Sequence, residues 1–506
     1  MNGFRLAILF LDALICMCIP GPDTIKKNCV YVNRVPAITP DYSGIMAPPN
    51  IAPLNFVVNE PGEEYYAEIS SSRGDAIAVS GYTPSLCIPN GKWKKLLKQN
   101  IGRPLRISIY VKDKFGAWRG YKPLYDTIAG EPIDGYVTYR TLSYLYNFST
   151  DLHVYERDLG SFTEKQLINS NNFAWGCCNC HTPKGGDPST FVTQFRSKDY
   201  GSGMLLSING KLRTIGTRLG YPAWHPGGKL IAFAVYNVRQ CFHESAKNFI
   251  DVYDNTSDIV LYDVDHDKTF AIPELFGKRT LKTWPTWSPD GRYLYYCFSP
   301  TPWTDLEKTP PDNFDMLKFS LLRTAYNAAD KTWGPVDTVL GSAETGLSIS
   351  QPKFSPDGRF LLFCMHYYGG YPHTQISSDL YMMDMATGKY CKPDINSDFS
   401  ESWHDWSKNG RWILFSSKRN GGIFTRIYFS YVDSSGIAHK PFIMPQRDPA
   451  FYDSFIKCYN YPEFTTGPIP FSERRLLEAI RSKNKINVAL PASPSAPIRQ
   501  PNPFFQ

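Results

Sequence analysis

Residues 287–298 read W-S-P-D-G-R-Y-L-Y-Y-C-F, and residues 354–365 read F-S-P-D-G-R-F-L-L-F-C-M. The same pattern recurs as W-H-P-G-G-K-L-I-A-F-A-V at 224–235 and as W-S-K-N-G-R-W-I-L-F-S-S at 406–417. Gly and Asp favour a tight turn, and the apolar run that follows favours a strand. Four copies of one turn-and-strand unit therefore indicate an internal repeat.

The spacing of the repeat indicates the architecture. The last glycines of the four turns, at 228, 291, 358 and 410, are 63, 67 and 52 residues apart. A four-stranded propeller blade takes about 40 to 45 residues, so these periods fit blades with long loops. A single sheet cannot bury both of its faces, and radial stacking of the repeated sheets solves that problem.

These repeats resemble those of TolB-like, WD-repeat-like β-propellers. The chain as a whole resembles envelope proteins of Bacteroidota-type bacteria that join such a propeller to a C-x-x-C-H motif. The likeness covers most of residues 25–465. It is carried by N-I-A-P-L-N-F at 50–56, E-P-I-D-G-Y at 131–136, Y-P-A-W-H-P-G-G at 221–228 and R-D-P-A-F-Y at 447–452. The resemblance implies a fold, and it is weak for function because such propellers bind very different things.

The expected fold is all-β, a six-bladed β-propeller preceded by a small β-sandwich. Short alternating runs from Leu54 predict the sandwich over 54–130, after a Pro-rich extended segment at 19–53. The propeller is expected over 131–465, where residues 139–170 and 171–219 supply two blades before the four repeats. Residues 466–506 should form a short helix capped by Ser472 and a disordered Pro-rich tail.

One motif carries chemistry: Cys177, Cys180 and His181 spell C-x-x-C-H. This run is the attachment signature of a c-type haem, in which two thiols bond the porphyrin and the imidazole ligates the iron. A disulfide, unused thiols or another metal are the alternatives. A zinc knuckle would need two more ligands in a matching motif, and a thioredoxin-like pair would need a βαβ setting. Cys178 adds a third thiol inside the loop. We therefore predict one covalent haem in the second blade.

The repeat also predicts where the haem lies. His181-Thr182-Pro183-Lys184-Gly185 aligns without a gap on the turn that begins at Trp287, which puts His181 at the aromatic position that opens a blade. The resemblance implies that this turn leads into the innermost strand, so we expect the haem at the mouth of the central channel. His404 is the first candidate for a second axial ligand, His225 the second, and Met204 is an outsider.

Composition and the N-terminus indicate an exported protein. A content of 42% hydrophobic and 15% aromatic residues with 40 Pro suits a turn-rich β protein, and a charge of +7 over 506 residues argues against nucleic acid as a partner. Residues 1–18 resemble an export signal, and Cys16 or Cys18 is a candidate lipid-bearing residue, which would be the only membrane attachment. The expected location is the periplasm or cell envelope.

Two functions follow from these observations. The first is electron transfer, or haem-bearing sensing or scaffolding, with envelope redox or scaffold proteins as partners. The second is a haem-free TolB-like platform for protein interactions. The sequence has no G-x-S-x-G ahead of a helix, no H-E-x-x-H and no phosphate-binding Gly-rich loop. An enzyme such as a haem peroxidase or a propeller lyase is therefore the weakest of the three hypotheses.

Overall fold

The computed structural model describes residues 22–144, 151–217, 219–243, 250–275, 279–305, 308 and 310–491, the side chains of Cys180 and Glu274 excepted. The expected export signal and the lipid candidates Cys16 and Cys18 lie outside these residues, as do residues 492–506 of the tail. Within the described ranges, no helix is both long and apolar enough to cross a bilayer.

The N-terminal part consists of two sheets and two helices. Its elements are α1 (Pro22–Asn28), β1 (Val30–Val32), β2 (Ile38–Thr39), β3 (Met46–Ala47), β4 (Phe56–Val58), β5 (Glu64–Ser71), β6 (Ile77–Gly81), β7 (Ser85–Leu86), α2 (Asn90–Gln99), β8 (Pro104–Lys112), β9 (Trp118–Tyr121) and β10 (Leu124–Ile128). A seven-stranded sheet contains β1, β3, β5, β6 and β8–β10, and a three-stranded sheet has the order β2-β4-β7. The Pro-rich segment thus supplies β1–β3 to these two sheets.

The described residues after β10 form six four-stranded antiparallel sheets, numbered here in chain order. Sheet 1 begins with β11 (Tyr136–Ser143), β12 (His153–Asp158) and β13 (Glu164–Asn169). Sheet 2 comprises β14 (Cys177–Lys184), β15 (Asp187–Ser197), β16 (Gly201–Ile208) and β17 (Lys211–Ile215). Sheet 3 comprises β18 (Gly220–Trp224), β19 (Leu230–Phe242), β20 (Ile250–Asp263) and β21 (Lys268–Ala271).

Sheets 4 to 6 carry three of the four repeats. Sheet 4 comprises β22 (Thr280–Trp287), β23 (Tyr293–Pro300), β24 (Ser320–Asn327) and β25 (Thr332–Leu340), followed by α3 (Ser342–Thr345). Sheet 5 comprises β26 (Ser348–Phe354), β27 (Phe360–His366), β28 (Asp379–Asp384) and β29 (Tyr390–Cys391). Sheet 6 comprises β30 (Glu401–Trp406), β31 (Trp412–Ser417), β32 (Arg426–Tyr431) and β33 (Phe442–Ile443). Then come α4 (Phe451–Ser454), β34 (Lys457–Thr465) and α5 (Glu473–Arg481), and four short 3₁₀ turns lie at Ser170–Phe173, Pro273–Leu275, Phe314–Met316 and Pro372–Thr374.

The six sheets form a closed ring. Strand β34 pairs with β11, so the fourth strand of sheet 1 comes from the far end of the chain. The first strands of sheets 2 to 6 contact one another in succession, and β34 contacts both β30 and β14. A ring of four-stranded sheets joined through their inner strands is a β-propeller. The expectation of an all-β propeller is therefore confirmed.

Hydrogen bonds in the repeated turn explain its sequence. Ser288 Oγ donates to Asp290 Oδ1 at 2.5 Å and accepts from the Tyr293 amide at 3.0 Å. Gly291 has φ +73°, a backbone conformation that residues other than glycine rarely adopt. The second S-P-D-G turn repeats these bonds through Ser355 and Asp357. The acidic residues of these turns are thus structural, as the pattern indicates.

The N-terminal part and the tail both pack on the ring. One buried apolar cluster runs from the N-terminal sheets into sheets 5, 6 and 1, and Trp412 Nε1 donates to the Glu131 carbonyl at 3.1 Å. Helix α5 buries Leu476, Leu477 and Ile480 against sheets 1 and 2. The Ser472 hydroxyl accepts from the backbone amide of Arg475 and caps this helix.

Candidate functional site

The C-x-x-C-H motif lies in β14, the inner strand of sheet 2. Asn179 pairs with Gln194 and Thr182 pairs with Val192, so two motif residues, Cys180 and His181, face the single residue between those partners. This mismatch is a β-bulge, which bends a strand and redirects its side chains. The motif is therefore part of the inner wall of the ring.

The same bulge recurs in every inner strand of the ring. The register slips by one residue at 221–222, 284–285, 351–352, 403–404 and 461–462. The first residue of each pair has a φ between +47° and +54°: Tyr221, Trp284, Gln351, Trp403 and Tyr461. The second residue is Pro in four of these strands and His404 in β30. The six inner strands thus contain a bulge at the same place, and in two of them the second residue of the bulge is histidine.

The register corrects the expected place of His181. The bulges align Cys180 with Trp284 and His181 with Pro285, so Pro183 takes the place of Trp287. The expectation that His181 occupies the aromatic position that opens a blade is wrong. The ungapped alignment matched the Pro and Gly residues of the turns, whereas the bulge sets the register and the turn of sheet 2 is displaced relative to it.

The bulges also divide the channel. The rings of Tyr221 and Trp284 approach to 3.8 Å between centroids, Trp284 and Trp403 to 5.5 Å, and Trp403 and Tyr461 to 4.7 Å. Three of these rings, those of Tyr221, Trp403 and Tyr461, line cavities on both sides. They form an aromatic constriction between cavity 1, of about 660 Å³, and cavity 2, of about 160 Å³.

Cavity 1 lies on the side of the repeated turns and contains a charged network. Lys353 Nζ contacts Asp405 Oδ1 at 3.0 Å and Glu463 Oε1 at 3.2 Å. Burial opposes the charge of Lys353, but the two carboxylates outweigh it and raise the pKa of the lysine. Burial raises the pKa of Glu463, against the opposite effect of Lys353. Glu463 is therefore protonated at a higher pH than an exposed glutamate.

His181 lies between sheets 1 and 2 beside this network. Its Nδ1 is 3.1 Å from Thr138 Oγ1 and 3.7 Å from Glu463 Oε2. Its ring packs 5.1 Å from that of Phe191, and the side chain is 11% exposed. Nε2 is buried and has no hydrogen-bond partner. One ring nitrogen is thus held by polar groups while the other is left without a partner.

The thiols of the motif lie in different surroundings. Cys177 is buried and lines cavity 2, and Cys178 is buried in an apolar cluster with Phe173 and Phe195, where burial raises its pKa well above the usual range. The side chain of Cys180 lies outside the described part. No cysteine whose side chain is described forms a disulfide.

Cavity 2 has cationic walls. Its lining includes Arg140, Arg196 and Lys418 and no carboxylate among the described residues. Arg140 bonds the side-chain oxygen of Asn460 through Nε at 3.1 Å, and the buried Nε of Arg196 has no partner. Burial lowers the pKa of Lys418. An anionic group would find complementary charge here.

His404 occupies the same bulge position in sheet 6 as His181 does in sheet 2, but it faces sheet 5. Its Nε2 is 3.0 Å from the Leu362 carbonyl and its Nδ1 is 3.8 Å from Cys364 Sγ. Burial, together with the charge of Lys353, lowers the pKa of His404 to about 3. Since both ring nitrogens have partners, this arrangement does not favour His404 as a second axial ligand.

The two weaker ligand candidates are also engaged in structure. His225 bonds the Gly291 carbonyl at 3.2 Å and accepts from the Gly227 amide at 3.0 Å. Met204 is fully buried in an apolar cluster between sheets 2 and 3. The structure therefore brings neither of them to His181.

The motif residues fit a haem in their donor chemistry better than in the space around them. The donor chemistry fits: His181 offers an unpartnered Nε2, its Nδ1 bonds the Thr138 hydroxyl at 3.1 Å, and the Glu463 carboxylate lies 3.7 Å from that nitrogen. Polar groups at the second ring nitrogen are typical of metal-ligating histidines. The space fits less well. Cavity 2 is smaller than the 300 to 1,000 Å³ of ordinary ligand pockets. An extended strand also separates Cys177 from His181 by about 13 Å. Attachment would require β14 and the lining of cavity 2 to rearrange.

Sequence reasoning missed the partners of His181, Thr138 and Glu463. A signal was present for one of them. Y-P-E-F at 461–464 repeats the pattern of Y-P-A-W at 221–224, which indicates that the last strand is an inner strand of the ring. Nothing in the sequence pairs Thr138 with the motif, because the two residues lie 43 positions apart in different sheets.

Comparisons with known proteins gave weak structural similarities only. No family model matches the chain, and no curated protein matches it. Three similar solved structures are an oligogalacturonate lyase from Vibrio parahaemolyticus (14% identity, TM-score 0.34, 74% of this chain and 100% of that one), the Kuenenia stuttgartiensis hydrazine synthase (12%, 0.30, 53% and 68%) and the Myceliophteria thermophila Cps50 (Swd1) β-propeller domain (10%, 0.28, 52% and 70%). Scores this low carry no inference, so the fold rests on the strand order.

Proposed function

We propose that the protein is a six-bladed propeller that carries one c-type haem, which Cys177 and Cys180 would bond and whose iron His181 would ligate. Each four-stranded sheet is then one blade, and the two N-terminal sheets form a sandwich that supports the ring. The observation that carries the proposal is the buried, unpartnered Nε2 of His181, whose Nδ1 is held on the other side of the ring. A bound haem supplies one-electron exchange.

The residues around His181 have a defined part in this proposal. Thr138 and Glu463 would fix the orientation of the imidazole, and a carboxylate beside Nδ1 raises the basicity of the ligating nitrogen. Once the lining of cavity 2 had rearranged to admit a haem, Arg140 and Arg196 in its wall would pair with the two carboxylates that a haem carries. The protein would thereby orient the haem and set its potential.

Location and partners follow from the haem. Thioether attachment takes place outside the cytoplasm, so we infer that the protein is exported to the cell envelope, in the periplasm or tethered through a lipid on Cys16 or Cys18. Its partners are then envelope redox proteins or scaffold proteins, and its role is electron transfer or haem-dependent sensing.

Intact mass and absorbance test the haem proposal. Expression with a cytochrome c maturation system should add the mass of one haem and give a reduced α-band, and expression without that system should add neither. The double variant Cys177→Ser/Cys180→Ser should lose both signals. Cys178→Ser is the matched control, because it removes a neighbouring thiol that the motif does not use. An unchanged mass in the matured wild type would overturn the proposal.

His181→Ala separates ligation from attachment. This variant should still gain the mass of haem through the two thiols, but its reduced spectrum should shift because the axial nitrogen is gone. His404→Ala should keep the wild-type spectrum, since both nitrogens of His404 bond within sheets 5 and 6.

A second candidate function rests on cavity 1. Its volume of about 660 Å³ lies in the range of ligand pockets, and proline, tryptophan and lysine side chains line it. A haem-free interaction platform would bind an envelope protein or peptide there. Loss of binding to a captured envelope partner in Lys353→Ala, with no haem in the wild-type protein, would favour this function.

A further inference from the structure

A cluster of possible metal ligands lies outside the motif, at the end of the long hairpin β19–β20. Cys241 in β19 is directly opposite Asp251 in β20. His243 follows Cys241 by two residues, just beyond the end of β19. Residues two apart in a strand, and residues directly opposite across a pair, lie on the same face of a sheet. The three side chains therefore converge because of the strand register.

The donor atoms of the cluster lie close together. His243 Nε2 is 2.6 Å from Asp251 Oδ2 and 3.7 Å from Cys241 Sγ, and all three ligand atoms lie within 4.8 Å of one another. Cys241 and Asp251 are buried, while His243 is partly exposed. A thiol, an imidazole and a carboxylate thus meet at one partly accessible point.

The geometry distinguishes a metal site from a catalytic triad. In a Cys-His-Asp triad the nucleophile and the acid bond opposite nitrogens of the imidazole. Here both the thiol and the carboxylate approach the same nitrogen, Nε2 of His243. Donor atoms that converge on one point, instead of forming a relay, are what a metal ion requires.

We propose that Cys241 Sγ, His243 Nε2 and Asp251 Oδ2 bind a zinc ion. Tetrahedral bonds of about 2.0 to 2.3 Å place neighbouring ligand atoms about 3.3 to 3.6 Å apart. The Cys241–His243 separation of 3.7 Å lies about 0.1 Å above this range, and the His243–Asp251 pair needs to open by less than about 1 Å. The ligand atoms of Cys241 and Asp251 lie within 4.8 Å of each other. A soft thiolate with an imidazole selects zinc over calcium or magnesium.

Groups around the cluster support the site. The Tyr368 hydroxyl donates to Asp251 Oδ1 at 2.9 Å, which leaves the other carboxylate oxygen to face the cluster. The ring of Phe314 lies nearly parallel to the imidazole of His243, with 6.4 Å between the ring centroids. Outer-sphere hydrogen bonds of this kind orient metal-binding carboxylates.

Three protein ligands leave one position of a tetrahedral zinc for water or an external donor. On binding, the thiol of Cys241 loses its proton to solvent and the sulfur becomes the ligand, so affinity should rise with pH. Gln240 and Val252, beside the cluster, line cavity 2. The zinc would thus fix the hairpin where it borders the channel.

Metal titration of the purified full chain tests the site. After chelator treatment, the wild-type protein should bind one equivalent of Co²⁺ with a thiolate-to-cobalt charge-transfer band, and Zn²⁺ should displace the cobalt. Cys241→Ser and His243→Ala should lose the band. Cys391→Ser and His266→Ala are matched controls that remove an exposed thiol and an exposed imidazole elsewhere, and both should keep it.

Two further measurements test the zinc site even if Cys241→Ser or His243→Ala does not fold. Tyr368→Phe leaves all three ligands in place and should weaken Zn²⁺ binding about tenfold. Zn²⁺ should raise the melting temperature of the wild type but not of Asp251→Asn. The proposal is overturned if Cys241→Ser binds Zn²⁺ as tightly as the wild type. It is also overturned if the cobalt band disappears with Cys180→Ser instead, which would assign the metal to the motif.

Discussion

Strands β14 and β30 contain the same kind of bulge, but their histidines have different surroundings. Each strand has the shared bulge, and each places histidine where the other inner strands have proline. His404 meets a carbonyl and a thiol of sheet 5, which occupy both nitrogens. His181 meets the hydroxyl of Thr138 and the carboxylate of Glu463 at one nitrogen only. The neighbouring sheet, and not the bulge, therefore decides whether a histidine is structural or available as a ligand.

The largest expected effect is the acid sensitivity that His404 gives the fold. Its pKa is about 3 in the folded protein and 6.5 in the unfolded chain, so the stabilisation is complete above pH 6.5 and is lost as the pH falls towards 3. The loss should total roughly 5 kcal/mol, at about 1.4 kcal/mol per pH unit. Urea unfolding of the wild type and of His404→Gln from pH 7 to pH 4 should measure about 3.5 kcal/mol of this loss, the part that falls between pH 6.5 and pH 4.

The difference between the two proteins isolates His404, because other buried histidines such as His366 are present in both. His404→Gln should therefore show a shallower decline in unfolding free energy than the wild type. Parallel declines in the two proteins would mean that His404 is protonated in the folded state, and the contrast with His181 would no longer hold.

Replacing each histidine by alanine sharpens the comparison at neutral pH. His404→Ala removes a fully packed ring and leaves the Leu362 carbonyl without its partner, and it should cost about 3 kcal/mol of unfolding free energy. His181→Ala also removes a buried nitrogen that has no partner, so in the haem-free protein it should cost only about 1 kcal/mol. Urea denaturation at pH 7 gives both values. Equal losses would contradict the unpartnered state of His181 Nε2.

Parts of this contrast could be predicted from the sequence and parts could not. The turns at Ser288 and Ser355 depend on local hydrogen bonds, so their pattern predicted the repeated sheets. The bulge was missed because the proline that marks it in the other four inner strands is replaced by His181 and His404 in these two strands. Glu463 comes to His181 only through the pairing of β34 with β11, which lies more than 300 residues earlier in the chain. Such long-range pairing leaves little local signal.

The smallest expected effect concerns the hydroxyl that holds His181. Thr138→Val keeps the shape of the side chain but removes the partner 3.1 Å from Nδ1, and it should cost about 1 kcal/mol of unfolding free energy. Thr141→Val is the matched control: Thr141 lies in the same strand, is also buried, and its hydroxyl has no partner to lose. That variant should be neutral or slightly stabilising. If both substitutions cost the same, the hydroxyl of Thr138 does not hold His181, and only the carboxylate of Glu463 would distinguish His181 from His404.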